Sequence, residues 1–244
     1  MKKRMDGFAL SFILCAFLSL LATAARADWT RWVDPFIGTA KGGNTFPGAV
    51  VPWGMVSVSP HNSLKAPSGY LYGEPALYGF GQVHLSGVNC PDLGNILITP
   101  TIGALQTQLE KIKSAYDSEE STPGYYRVNL KDPGVEAEMT ASTRVGMFQF
   151  LFPARKRDAN ILVNVSHRLT TDPPGTRTGF ESKVKIVSNS EIEGYSQSGD
   201  FCTPYSGNKQ TVYFVARFSK AAQQAGTWKG TKVQESNEQS GKNG

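Results

Sequence analysis

The sequence predicts an all-β protein, an antiparallel β-sandwich, on three grounds. Apolar residues recur with a period of two rather than three and a half, the spacing that puts alternate side chains on one face of a strand. The apolar runs are short, rich in Val, Ile, Phe and Tyr, and separated by turn residues, as half-buried strands require. No long amphipathic helix competes for the core, and many closely spaced short strands belong to a sandwich or barrel. A length of 244 residues suits one domain with a single core.

The first element stands outside that core. Residues 1–27 carry a basic end at Lys2, Lys3 and Arg4, an apolar run from Phe8 to Leu21, and the small-residue end Ala25-Arg26-Ala27. This is the layout of a secretory signal peptide cleaved after Ala27. The run is shorter than the roughly 20 residues a bilayer span needs, and the large Leu14 before Cys15 argues against a lipid anchor. Export to the periplasm or outside the cell is expected, with no membrane segment left after cleavage.

Strands are expected over residues 55–59, 95–99, 125–130, 135–140, 144–152, 160–165, 181–187, 191–196 and 211–218. Asp132-Pro133-Gly134 supplies a fixed φ followed by a permissive glycine, so 125–130 should fold back on 135–140. Asn189-Ser190 plays the same part between 181–187 and 191–196. The end of the chain, KVQESNEQSGKNG, is polar and glycine-ended, with too little apolar surface to pack. The sandwich is therefore expected to span 28–230, with 231–244 a polar tail or an interrupted loop.

Loss of the leader removes Lys2, Lys3, Arg4, Arg26 and Asp6, which lowers the net charge from +5 to +2. The remaining Lys and Arg are scattered, so no nucleic-acid footprint is left, and Arg155-Lys156-Arg157 beside Pro153 reads as a solvated turn. Cys90 and Cys202 alone survive cleavage, and an even pair in an exported chain invites a disulfide.

Chemistry concentrates in residues 81–95, GQVHLSGVNCPDLGN, which hold His84, Cys90 and Asp92. They do not form a catalytic triad motif: triad members come from separate segments and no nucleophile elbow is present. They do not form a zinc motif either, since His84 and Cys90 lack paired-ligand spacing and His61 and His167 have no partner nearby in sequence. Gly79-Phe80-Gly81 opens like a dinucleotide loop, but His84 stands where the third glycine belongs. Glycoside hydrolysis needs two carboxyl groups roughly 5 to 9.5 Å apart, and nothing in the sequence pairs any two of Glu74, Asp92, Glu119, Glu120 and Asp200. Glu119 and Glu120 read as a solvated turn before Pro123, and Asp92 as an Asx-type turn. Aromatics mixed with polar groups in glycine-rich loops, as in Asn44-Thr45-Phe46 and Ser68-Gly69-Tyr70-Leu71-Tyr72, suit a carbohydrate ligand.

Several blocks together resemble the N-terminal domain of glycoside hydrolase family 92. They are Val33-Asp34-Pro35-Phe36-Ile37-Gly38-Thr39, Asn44-Thr45-Phe46-Pro47-Gly48-Ala49, Val51-Pro52-Trp53-Gly54-Met55 and the run from Gly79 to His84-Leu85-Ser86-Gly87. Further on come Pro123-Gly124-Tyr125-Tyr126, Glu191-Ile192-Glu193-Gly194-Tyr195 and the run from Val212 to Lys220. The resemblance implies a secreted, exo-acting, calcium-dependent, inverting α-mannosidase, with a supersandwich-like β-domain packed on a larger C-terminal helical domain. That helical partner domain, which would hold the acid, the base and most calcium ligands, is expected to be missing here, so no catalytic residue or metal ligand is assigned. The sandwich is expected to be cut before its last strand or strands. His84, Asp92, Phe46, Thr45, Ser86 and Phe201 are the implied substrate contacts, and a Cys90–Cys202 disulfide is supported. Where many members carry Trp-Asp-x-Cys before Ser-Gly-Tyr, this chain has Leu64-Lys65-Ala66-Pro67. The alternative is a non-catalytic carbohydrate-binding or structural sandwich module.

Overall fold

The computed structural model describes residues 28–154, 158–169, 180–202 and 207–242. The signal-peptide reading of 1–27 and the turn at 155–157 lie outside them. Residues 28–33 separate from the rest of the chain and hold one 3-10 turn, Trp29–Trp32, capped by the Asp28 carboxylate, which accepts from Thr30 N–H at 3.1 Å.

From Asp34 onward the protein is antiparallel β-structure. One five-stranded sheet has the order β1 (Ala49–Val50), β2 (Ser57–His61), β4 (Gly79–Gly81), β5 (Leu97–Ile102), β10 (Ala159–Asn164). A second has the order β3 (Ala76–Leu77), β6 (Ser114–Thr122), β7 (Tyr125–Leu130), β8 (Val135–Ala141), β9 (Gly146–Leu151). Alternation decides which faces meet: Tyr126, Val128 and Leu130 of β7 and Val135, Ala137 and Met139 of β8 all point inward. All but Val135 pack with Leu77 of their own sheet on Ala49, Val58 and Phe80 of the other, with Phe148 and Phe150 packed against the cluster. The expected hairpin forms, with Leu130 paired to Val135 and Gly134 at φ +63°, a conformation that costs glycine little.

A third sheet runs β13 (Lys209–Arg217), β12 (Glu191–Gly199), β11 (Glu181–Ser188), β16 (Glu238–Lys242), and a small ribbon joins β14 (Thr227–Lys229) to β15 (Lys232–Gln234). The turn at Asn189-Ser190 joins β11 to β12. The expectation of a polar tail or interrupted loop over 231–244 is corrected among the described residues: Lys232–Gln234 and Glu238–Lys242 are strands. Glu238 to Lys242 pair residue for residue with Lys185 to Glu181, and Lys183 bonds Glu238 at 2.8 Å. An edge strand is held by its backbone ladder, so a run without apolar residues can still be one. A backbone ladder also accounts for β6, which lies between β3 and β7. Its sequence SAYDSEEST reads as a loop, yet it pairs along β7.

Phe80 is wholly buried between the layers against Phe148 and Phe150, with ring centroids at 6.3 and 6.0 Å. Phe80→Ala should lower the unfolding free energy by about 3–5 kcal/mol, read as a shift in the urea midpoint at unchanged slope.

Candidate functional site

The chain has three histidines, and the fold gathers all of them. His61 ends β2, His84 sits in the loop after β4, and His167 follows β10. His61 Nδ1 lies 2.9 Å from His167 Nε2, and His61 Nε2 lies 2.5 Å from His84 Nε2. His84 Nδ1 lies 2.6 Å from Ser57 O, while its backbone N–H donates to Ser57 Oγ at 2.8 Å. A carbonyl only accepts, so His84 Nδ1 carries its proton and Nε2 accepts from His61 Nε2–H. His61 Nδ1 then accepts from His167 Nε2–H, which fixes every tautomer in the chain.

His61 and His167 are 0 % and 6 % exposed. Burial holds the pKa of His84 down to about 4 and that of His167 to about 3, and His61 well below the ordinary imidazole value, with neighbouring imidazoles adding to the effect on His61 and His167. The rings approach because position 81 is glycine: a Cβ there would stand 2.5 Å from His61 Nε2 and 2.9 Å from His84 Nε2.

Around this anchor the loop is fastened on two further sides. Gly87 N–H donates to Asn44 O at 2.8 Å and Asn44 Nδ2 donates to Asn89 Oδ1 at 3.2 Å, so the 44–46 and 84–89 segments lie together. The Phe46 ring stands 5.1 Å from the His84 ring, and Thr45 Oγ1 donates to Ile37 O at 2.9 Å. A disulfide joins Cys90 to Cys202, with Cα atoms 5.0 Å apart, and carries the half-exposed Phe201 to the same loop.

Asp92 is 1 % exposed. The expected Asx-type turn is not formed: Oδ1 accepts from Leu93 N–H, the next residue, at 2.7 Å, while Gly94 N–H two residues on donates to Val83 O, and Asp92 Oδ2 is buried without a protein donor, as is Asn95 Oδ1 nearby in the loop. Asn95 Nδ2 donates to Ser196 Oγ of β12 at 2.8 Å, tying the loop to the third sheet. Ser86 is exposed.

The structure therefore brings Thr45, Phe46 and His84 together, places Ser86 beside them, and leaves Asp92 with an unused acceptor. It also spends both ring nitrogens of His84 internally. Sequence reasoning set His61 and His167 aside because they stand 23 and 83 residues from His84, and no spacing rule covers a cluster closed by three separate segments. Glu119 is not a solvated turn residue. Its carboxylate accepts from Tyr70 OH at 2.8 Å and from Tyr126 OH at 2.6 Å.

Residues 32–244 match the glycosyl hydrolase family 92 N-terminal domain. The chain belongs to this family. A solved family GH92 α-mannosidase from Bacteroides thetaiotaomicron, in complex with mannoimidazole, superposes with a TM-score of 0.73 at 33% identity, over 87% of this chain and 29% of that one. The family GH92 inverting mannosidase from B. thetaiotaomicron VPI-5482 shares the fold at 22% identity and a TM-score of 0.67, over 88% of this chain and 28% of its own. An uncharacterized secreted glycosidase of Arthroderma benhamiae is 30% identical over 154 residues, 59% of this chain and 20% of that protein. The family 92 chain described here spans less than a third of each relative. No helix among its described residues is long and apolar enough to cross a membrane.

The loop's anchors have measurable consequences. The unfolded chain takes up imidazole protons near pH 6.5, and the folded chain only near the lowered values. Stability should thus be complete above about pH 6.5 and fall by about 1.4 kcal/mol per pH unit for each imidazole as the pH drops toward 4. Urea titrations across that range measure the slope, and Gly81→Ala should lower stability by about 1–3 kcal/mol by overpacking. Thiol titration of the unreduced, denatured mature protein should find no reactive thiol, and reduction should cost on the order of 4 kcal/mol for so long a loop.

Proposed function

We propose that the chain is the pocket-lending β-sandwich portion of a secreted, exo-acting, calcium-dependent, inverting α-mannosidase acting on mannose-containing glycans, and that it is inactive by itself. Family membership supports a glycosidase, and the B. thetaiotaomicron α-mannosidase that shares the fold at 33% identity supports mannose. The observation that carries the pocket assignment is Asp92 Oδ2, a buried acceptor without a donor in a loop fastened by imidazoles, backbone bonds and a disulfide. Leaving such an oxygen unpaired costs about 1–3 kcal/mol or more, and a sugar hydroxyl would supply the missing donor. Phe46 and Phe201 would take the apolar face of the ring, while Thr45 and the exposed Ser86 would meet its outer hydroxyls. His84 would act by holding the loop and the Phe46 ring, since its nitrogens are engaged.

Hydrolysis with inversion needs an acid and a base flanking the bond and a water between them. We assign both to a helical portion beyond this chain. Calcium is assigned there as well; the three imidazoles spend their facing nitrogens on one another, and among the described residues no group of His, Cys, Asp or Glu is placed to hold a metal ion. A surface suited to that portion is present. Trp53 is 98 % exposed on a backbone at φ +57°, and Met55, Val145 and Met147 are exposed around the contact of Met55 N–H with Thr143 O. Exposed apolar groups gathered in this way fit a partner surface better than solvent.

The reading is tested in two steps. This chain with calcium and 4-nitrophenyl α-mannoside should show no turnover above blank, and turnover would overturn the assignment of acid and base to another portion. A chimera carrying residues 28–244 in place of the matching portion of a longer family enzyme should hydrolyse that substrate. Asp92→Asn in the chimera should lower kcat/KM by about tenfold or more, as for loss of a hydrogen bond to a charged group.

A further inference from the structure

Beside the Asp92 loop, and sharing no lining residue with it, lies an open cleft of about 410 Å³ lined by Asp34, Phe36, Ile37, Ala40, Tyr72 and Glu119. We propose that this cleft is a second binding site for a neutral hexopyranose ring. The inference goes beyond the mannosidase reading, which concerns the Asp92 loop.

The first support is a bulge that aims Glu119. The pairing of β6 with β7 shifts register between Asp117 and Glu120, and Ser118 takes φ +52°. Tyr116, Glu119 and Ser121 thus face inward while Asp117, Ser118 and Glu120 face solvent. In an unbroken strand Glu119 would have shared the outer face with Asp117. Bulges re-aim side chains in this way, and non-glycine residues at positive φ persist where the surroundings enforce them.

The second support is how the carboxylate is held. Tyr70 and Tyr126 are 1 % and 0 % exposed, and their hydroxyls bond Glu119 Oε1, with Tyr70 also 3.0 Å from Oε2. Burial raises the Glu119 pKa and the two phenols lower it, with no cation among its causes. A carboxylate has about four acceptor positions, so Oε2 retains capacity toward the cleft that its lining forms.

The third support is the ring beside it. Tyr72 is 60 % exposed, yet its backbone is fixed by donation to Thr39 O at 3.0 Å and its ring meets Phe36 edge-on at 5.8 Å and 70°. Asp34 uses Oδ1 to accept from Phe36 N–H at 2.9 Å, which leaves Oδ2 for a ligand. Two acceptor-only groups flanking an aromatic face repel phosphates and carboxylates and call for hydroxyl donors on an apolar ring. The cleft volume lies within the range of small-ligand sites.

Titration of the 15N-labelled full chain with methyl α-D-mannopyranoside tests the proposal. The amides of Phe36, Ile37, Tyr72 and Glu119 should shift on saturation, and Tyr72→Ala, a surface change, should weaken that response about tenfold or more. The shifts should persist in Asp92→Asn, which separates this cleft from the Asp92 pocket. Shifts confined to 45–46 and 84–94, no shifts at all, or an unchanged affinity in Tyr72→Ala would each overturn the second site.

Discussion

Three imidazoles joined donor to acceptor hold the end of β2, the loop after β4 and the segment after β10 in one place. The arrangement has a single proton pattern. A further proton on His61 or His84 would set N–H against N–H across 2.9 or 2.5 Å in an interior that penalises charge. The histidines therefore act as a structural clasp that needs neutrality, and Gly81 makes the room for it. The loop that carries Asp92 inherits its position from that clasp, because His84 lies eight residues before Asp92 and is bonded to Ser57 through both backbone and ring. Pre-organisation of this kind lets a binding loop keep unused acceptors without collapsing onto them.

The parts of the fold that were legible in sequence are those where burial sets the pattern. The strands β7 and β8 alternate buried and half-buried residues without a break, and Asp132-Pro133-Gly134 marks the turn between them. The parts that were not legible are two polar strands. Both β6, between β3 and β7, and β16, at a sheet edge, are paired through backbone hydrogen bonds, which leave no trace in side-chain type, so their Ser, Glu and Gln residues imitate loops. At the candidate site, the loop blocks around Thr45-Phe46 and His84 to Asp92 could be picked out because their residue types were unusual together. The imidazole cluster could not, since it is closed by segments far apart in sequence whose local surroundings give no sign of one another.

The buried Asp92 and the half-buried Glu119 show the same force resolved in opposite ways. Glu119 is half-satisfied by two phenols that the core itself holds still, and its strand bends through a strained serine to bring it there. Asp92 receives one backbone donor and keeps its second oxygen covered and empty. Each arrangement costs stability that a fully paired or fully solvated carboxylate would not. The two carboxylates are carried by separate segments, and the bond from Thr45 Oγ1 to Ile37 O ties the 44–46 segment, which the 84–89 loop holds through Gly87 N–H, to a residue that lines the cleft of Glu119.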